Sequence, residues 1–503
     1  MCERWRVGLI IGALISFSSC IPTLEENPAR DVSKAVPNAF RQDAQMPVDG
    51  GVAEQPPPTA AESVAQQSWN EFFHNEDLRA LIETALKNNQ ELNIQLQEII
   101  IANAETSARR GEYWPRVGAG LTTGIDKVGG TTWRGVSDEA HGVPANLGNF
   151  AFGLTAQWEI DVWGKLRKAA QAADFRAQAS LEARGFMITQ LVAEIARSYF
   201  ELIAVDNELE VVRNNIKIQT DALEIVKLEK QAARVTQLAV QRFEAEVLKN
   251  RSHLFDLEQE RVQAENRINF LVGRFPQPVA RNPKALNDPL PTSIATGVPS
   301  QLLSNRPDVH AAELELEAAK MDVGSAKARF FPALSIDAAV GYNSFNITHI
   351  FNTPESIFYN LAGNIIAPLI NRAGIEASYR MANAHQIQAV FNYERTVLQA
   401  FTDVVNQVVK YENLGKTYDL QLQQVDQLSQ AVDISTTLFQ SARADYMEVL
   451  LTRRDSLDAQ LELIETKKRL LLSMVNIYQS LGGGWRVPQN APTEPAAAPT
   501  TKP

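Results

Sequence analysis

The sequence predicts a mainly α-helical chain, built from two internal repeats, that adds four strands to a β-barrel no single copy can close. Three observations predict it. Residues 164–272 and 373–481 are long, polar-rich and nearly free of Pro and Gly; their heptad-like apolar spacing suits helices that pack as coiled coils. Four segments of about ten residues alternate apolar and polar side chains, as membrane strands do. The chain also repeats itself: Glu112-Tyr113-Trp114-Pro115 returns as Arg329-Phe330-Phe331-Pro332, 217 residues later, and Asn88–Leu92 returns at the same offset as Asn305–Val309. Further on, Ala233-Arg234-Val235-Thr236 faces Ala442-Arg443-Ala444-Asp445 at an offset of 209, so a loop between these places is shorter in the second half.

From the N-terminus, residues 1–19 read as an export signal. Arg4 and Arg6 precede an apolar run of eleven residues, Val7–Phe17, which as a helix spans about 16 Å, short of a bilayer core of about 30 Å. Phe17-Ser18-Ser19-Cys20 is similar to a bacterial lipobox, with Phe where Leu is usual, and makes Cys20 the candidate lipidated residue. An ordinary secretory signal with an incidental cysteine is the alternative. Residues 20–68 form a Pro-, Ala- and Gln-rich linker, and residues 488–503 a disordered tail. The first repeat is expected at 69–280, with strands about 115–125 and 150–160; a Pro-rich connector, 281–304, follows; the second repeat covers 305–487, with strands about 333–343 and 358–368.

Leu78, Leu81, Ile82 and Ala85 carry the i, i+3, i+4, i+7 spacing of a helix, as do Leu470, Met474, Ile477 and Leu481 with one turn skipped. Gly164–Glu229 and Ala373–Gln440 each give a helix of about 100 Å. The return helices are shorter, and Asn305–Phe330 reads as a further helix. No globular core needs elements this long; a tube does. In the strands, Val117, Ala119, Leu121, Thr123 and Ile125 alternate with Arg116, Gly118, Gly120, Thr122 and Gly124. The second set is Phe150, Phe152, Leu154, Ala156, Trp158 and Ile160; the third Leu334, Ile336, Ala338, Val340 and Tyr342; the fourth Tyr359, Leu361, Gly363, Ile365 and Ala367. A soluble half-buried sheet would show the same period. If the strands lie in lipid, four cannot close a barrel and open edges leave backbone groups unpaired. In that case several chains must share one barrel, two giving eight strands and three giving twelve, and the pattern fixes an oligomer but not its number.

Composition removes other classes. A net charge of −11 disfavours nucleic acid as a partner. Cys2 and Cys20 are the two cysteines, so neither a disulfide framework nor a cysteine metal site is available to the repeats. The six histidines are scattered, and there is no HExxH, P-loop or Gly-x-Ser-x-Gly elbow. The chain reads as no enzyme, with no cofactor and no metal. Energy for transport must come from a partner.

The pattern resembles the outer-membrane efflux protein family, the TolC-like ducts, and within it the lipoprotein branch around OprM and NodT. The resemblance covers roughly residues 69–487 and rests on Trp69–Phe73 with Leu78–Ile82, Asp161-Val162-Trp163-Gly164-Lys165-Leu166-Arg167, Asn305-Arg306-Pro307-Asp308-Val309 and Leu481-Gly482-Gly483-Gly484-Trp485. It implies a homotrimer with a twelve-stranded barrel above a twelve-helix periplasmic tunnel, anchored in outer-membrane lipid through Cys20. Its partners would be a periplasmic adaptor and an inner-membrane pump of the RND type. The outlet of a type I protein secretion system shares the fold; a lipid-anchored periplasmic coiled-coil scaffold is the reading from another class.

The family narrows its tunnel where the helices turn. The glycines of those turns fall here on Ala233 and Ala442. An acidic pore position falls on Glu448, the next one on Leu451, and their first-half counterparts on Ala239 and Arg242. Met447 takes the apolar constriction position, beside Tyr446. The resemblance therefore implies a gate of apolar Met447 and Leu451 rings, tuned by Asp445, Glu448 and Arg242. Solvated helix faces are the commoner fate of such charges.

Overall fold

The computed structural model describes residues 21–24, 37, 40, 63–289, 291, 294–368, 372–441 and 443–485. Cys20, Ala442, the signal segment, most of the linker and the tail lie outside the described residues. In chain order the elements are α1 (Trp69–Phe72), α2 (Glu76–Asn88), α3 (Gln90–Gly111), β1 (Arg116–Asp126), α4 (Trp133–Ala140), β2 (Leu147–Ile160), α5 (Lys165–Gln231), α6 (Gln237–Val272), α7 (Gln301–Asn305), α8 (Pro307–Ala328), β3 (Ala333–Ser344), β4 (Ile357–Ile366), α9 (Ala373–Gln440) and α10 (Tyr446–Ser480). Two compact units divide them: Met1–Arg30, Glu98–Ser180 and Ala312–Tyr393 form one, and Asp31–Gln97, Leu181–Ala311 and Glu394–Pro503 the other.

The first unit holds a single antiparallel sheet in the order β1-β2-β3-β4. Its register sorts the side chains by chemistry. Leu121 pairs with Phe152, Phe152 with Tyr342, and Val340, one residue pair on, with Tyr359. Because side chains alternate with period two, the apolar sets named above share one face, while Gly, Thr, Asn, Gln and Asp residues share the other. The apolar face is exposed, from Val117 and Leu121 to Leu361 and Ile365. Between β2 and β3, Gly153 lies opposite Gly341, and a Cβ on either would collide with the facing strand's backbone. Only glycine permits that approach. Among the described residues, β1 and β4 each keep one edge unpaired.

The strand-to-helix joint is made by the motif that follows β2. The Asp161 carboxylate accepts the backbone N–H groups of Leu166 (3.1 Å) and Arg167 (2.9 Å) and the Arg167 Nε (3.2 Å), capping α5. Burial pushes this carboxyl up, but those hydrogen bonds and the guanidinium outweigh it and hold it below the usual range. Trp163 stacks on Phe331 at 4.8 Å and donates Nε1 to the Pro332 carbonyl at 2.8 Å. Nearby, Ala326, Phe330 and Tyr379 form a small core against which Ile21 and Leu24 pack.

The second unit holds the main core, in which Val192, Ile195, Tyr199 and Leu202 of α5 meet Leu78 and Ile82 of α2, Ile268 and Leu271 of α6, and Leu471, Val475 and Tyr478 of α10. Along α6 the residues Val240, Phe243, Val247, Asn250, Leu257, Ile268 and Leu271 are buried, which is heptad spacing. The two repeats close alike. Gly273 (φ 76°) ends α6 with its Cα against the Asn88 carbonyl, and Gly482 (φ 86°) follows α10 against that of Asn305; an added Cβ would sit 2.5 Å from the oxygen in each case. Buried Arg306 ties the second closure, donating to Asp308 (3.0 and 2.6 Å) and the Ser480 carbonyl (2.9 Å), while Trp485 Nε1 donates to the Asn305 carbonyl at 3.2 Å. The Asn305–Val309 and Leu481–Trp485 motifs are thus two halves of one joint.

Four features were not foreseen. The helix expected over Asn305–Phe330 breaks at Arg306, which is extended before Pro307. A similar break occurs at Asn89, whose side chain accepts Leu92 N–H and donates to the Leu271 carbonyl at 2.8 Å. Helix α4 fills part of the β1–β2 connection. The Pro-rich connector carries a short 3₁₀ turn, Pro283–Asn287, and is clamped from several sides. Arg281 pairs with Asp206 and with Glu265, and Lys467 donates to the Asp288 carbonyl at 3.0 Å while lying over the Tyr418 ring. Burial pulls the Lys467 pKa down.

Candidate functional site

The candidate gate lies at the two helix turns. After α5 ends at Gln231, Ala233 adopts φ 59°, the one positive φ at a non-glycine residue among the described residues. The turn is closed by Arg234 N–H to the Glu229 carbonyl and Ala233 N–H to the Lys230 carbonyl, both 2.9 Å, which satisfies carbonyls left over at the helix end. A Cβ in this region costs about 1–2 kcal/mol, so the alanine is tolerated at the expense of strain. Thr236 then caps α6, accepting from Ala239 N–H. In the second turn Arg443 N–H reaches the Leu438 carbonyl at 2.9 Å, the counterpart of the Arg234 bond. Asp445 is the N-cap of α10 without a side-chain cap bond, and its carboxylate, with that of Glu448, sits favourably at the positive end of the helix.

The structure gathers some of the expected residues and separates others. Tyr446 and Leu450 pack against the cluster of Leu223, Val226, Ala239, Val240, Phe243 and Val247, so Tyr446 joins the second hairpin to the first. Arg242 Nη1 lies 3.0 Å from Met447 Sδ, a second link between the hairpins. Glu448, Leu451 and Asp445 remain exposed, and Leu451 adjoins both Met447 and Glu448 on the helix surface, at i+4 from the one and i+3 from the other. Ala239 is fully buried, in the cluster that Val240 and Phe243 share, so of the two first-half counterparts only Arg242 reaches the surface.

Two polar features escaped the sequence reading. Asn250 Nδ2 donates to Gln219 Oε1 at 2.8 Å inside the α5–α6 seam, a polar pair of the kind that fixes coiled-coil register; the amides at heptad core positions were the available signal. Arg453 is half-buried against Thr436, and burial pulls its pKa down against the Asp433 charge. Among the described residues, no group of three His, Cys, Asp or Glu could hold a metal ion, and no helix is long and apolar enough to cross a membrane.

A sheet that is apolar on one exposed face, free at both edges and continued by coiled-coil hairpins defines a component of a membrane β-barrel with a helical extension. Residues 81–274 and 298–483 match the family described as outer membrane efflux protein, and the chain belongs to that family. It is similar to the cation efflux system protein CusC of Escherichia coli, 25% identical over 430 residues, 85% of this chain and 90% of that one. The probable outer membrane lipoprotein SilC of Salmonella typhimurium is 25% identical over 449 residues, 89% and 95% of the two chains. Among solved structures, the outer-membrane channel OprN superposes with a TM-score of 0.79 at 22% identity, covering 92% of this chain and 99% of its own.

Proposed function

We propose that the chain is the outer-membrane exit duct of a tripartite efflux pump, passively conducting small molecules that a periplasmic adaptor and an inner-membrane RND pump deliver. The observation that carries this reading is the four-stranded sheet with an exposed apolar face and two unpaired edges. In lipid those edges must be paired by other copies, and three copies make a twelve-stranded barrel. The cation named for CusC belongs to that protein; the cargo here is a drug or another toxic compound. Deleting the gene and scoring sensitivity to antibiotics, dyes and metal salts tests the reading. Sensitisation to one of these groups supports it, and unchanged sensitivity to all of them, with intracellular dye accumulation also unchanged, contradicts it.

Cys20 is the proposed lipid attachment site. Ile21 and Leu24, directly after it, pack on Phe330 and Tyr379, three residues before β3 begins, which suits an acyl chain entering the membrane beside the barrel. At the turns, the proposed gate sets Met447 and Leu451 as apolar rings, with Asp445, Glu448 and Arg242 as charges around them. Three carboxylates of Glu448 brought together near one axis would repel one another and attract cations. Glu448→Ala and Leu451→Ser channels should conduct more in planar bilayers and admit more antibiotic in cells; identical conductance for both variants and the parent would sink the assignment.

A further inference from the structure

The connection between β3 and β4 is unlike an ordinary solvated loop. Residues 345–356 carry a single Asp, Glu, Lys or Arg, which is Glu355, whereas residues 127–146, joining β1 to β2, carry Lys127, Arg134, Asp138 and Glu139. The shorter loop also has a fixed shape. Ile347–His349 form a 3₁₀ turn capped by Asn346, whose side chain accepts Thr348 N–H at 3.0 Å. Ser356 Oγ donates to the His349 carbonyl at 2.7 Å, and Asn343 N–H reaches the Ser356 carbonyl at 2.8 Å. Ile350 and Ser356 are buried. This shape brings Phe351 back over the sheet. Its ring lies 5.5 Å from that of Phe152 and 6.1 Å from that of Tyr342, which stack on each other at 5.3 Å across β2 and β3. Phe152 and Tyr342 belong to the apolar face, so the loop folds onto that face and away from the polar one. Even so, Phe345, Ile347 and Phe351 stay 66%, 60% and 72% exposed.

We infer that Phe345, Ile347 and Phe351 are seated among the acyl chains of the outer leaflet, making the β3–β4 loop a membrane contact in its own right. The inference rests on the reading that the apolar sheet face lies in lipid, and it carries that surface past the ends of the strands. Three arguments choose acyl chains as the occupant. Continuity is the first: Phe351 covers part of a face on which β3 presents Leu334, Ile336, Ala338, Val340 and Tyr342, with no charge among them, and its own outer side extends that face. Position is the second. Another copy would join at the outer edges of β1 and β4, whereas Phe351 sits over the inner strands β2 and β3, one strand spacing of about 4.8 Å inside either edge. Level is the third. α3 and α8 enter the sheet, and α5 and α9 leave it, at the end opposite this loop, which puts the loop at the rim far from the helices. Apolar side chains held rigidly in water have unfavourable hydration and lose it among acyl chains.

Nitroxide labels on the full chain in phosphatidylcholine nanodiscs test this. Ile347→Cys and, separately, Phe345→Cys put the label on the lipid side of the loop, Glu355→Cys puts it on the charged side, and Leu361→Cys puts it within β4 on the apolar face. All four residues are exposed, so the core stays intact, and the parent labelled in parallel supplies the background from Cys20. Oxygen concentrates among acyl chains, and a nickel chelate stays in water. The ratio of oxygen to nickel collisions should be several-fold higher at Ile347 and Phe345 than at Glu355, and close to that at Leu361. Water-like ratios at Ile347 and Phe345, with Leu361 still lipid-like, would overturn the loop contact and leave the barrel standing. Labels there that are shielded from both reagents would overturn it as well, since protein would then cover the loop. A water-like ratio at Leu361 would overturn the inference together with the lipid-facing sheet on which it rests.

Discussion

At the residue scale, the energetic exceptions sit in the helical hairpins. Ala233 holds a left-handed conformation that costs about 1–2 kcal/mol, yet replacing it with glycine also frees the unfolded chain by about 0.4–1 kcal/mol. Ala233→Gly should therefore stabilise the turn by roughly 0.5 kcal/mol net of those two effects, and Ala233→Val should destabilise it, since a β-branched residue tolerates positive φ worst. Hydrogen exchange at residues 229–236 reads both; slower exchange in the valine variant would contradict the account. Glu208 is the second exception. Burial pushes its carboxyl up to about 7, with Lys468 opposing and Glu465 and Glu260 adding to the rise. A carboxyl raised on folding contributes stability below its unfolded pKa and loses it as pH rises through the folded value. Melting temperature should thus fall between pH 5 and 8 in the parent and fall less in Glu208→Gln, a difference of about 1–2 kcal/mol after screening. Parallel pH profiles would show that Glu208 does not titrate in this range.

At the element scale, periodicity made most of the structure legible because it is a local property. The alternation from Val117 to Ile125 and from Phe150 to Ile160 needs no knowledge of the rest of the chain, and the strands run over Arg116–Asp126 and Leu147–Ile160. The heptads of α6 and α10 were legible for the same reason. What stayed hidden depends on distant partners. Asn89 breaks α2 from α3 because it bonds a carbonyl 182 residues away, and the clamp of Arg281 on Asp206 and Glu265 joins a connector to two helices. Neither of these distant bonds leaves a local mark. The close approach of β2 and β3 at Gly153 and Gly341 is of this kind, since nothing in either strand alone announces its partner. Gly153→Val or Gly341→Val should abolish most heat-modifiable oligomer on gels, because the side chain meets the facing backbone, while Gly363→Ala, with open space around it, should leave it unchanged. Equal behaviour of all three would argue against the observed β2–β3 register.

At the scale of the whole molecule, the repeat explains more than the fold. Gly273 against Asn88 and Gly482 against Asn305 show one joint used twice, and the Asn88–Leu92 and Asn305–Val309 segments that repeat each other at an offset of 217 residues hold its two copies. The proposed gate was legible only as a place: the family's turn positions fell on Ala233 and Ala442, but the link between Arg242 and Met447 and the burial of Ala239 arise from packing of the helices. Among the described residues, one copy also leaves the outer edges of β1 and β4 unpaired. Everything functional depends on that incompleteness, and native mass spectrometry of the detergent-purified protein addresses it most directly. The account predicts a particle of three chains that requires detergent to stay in solution. A monomer that remains soluble once detergent is withdrawn would contradict it.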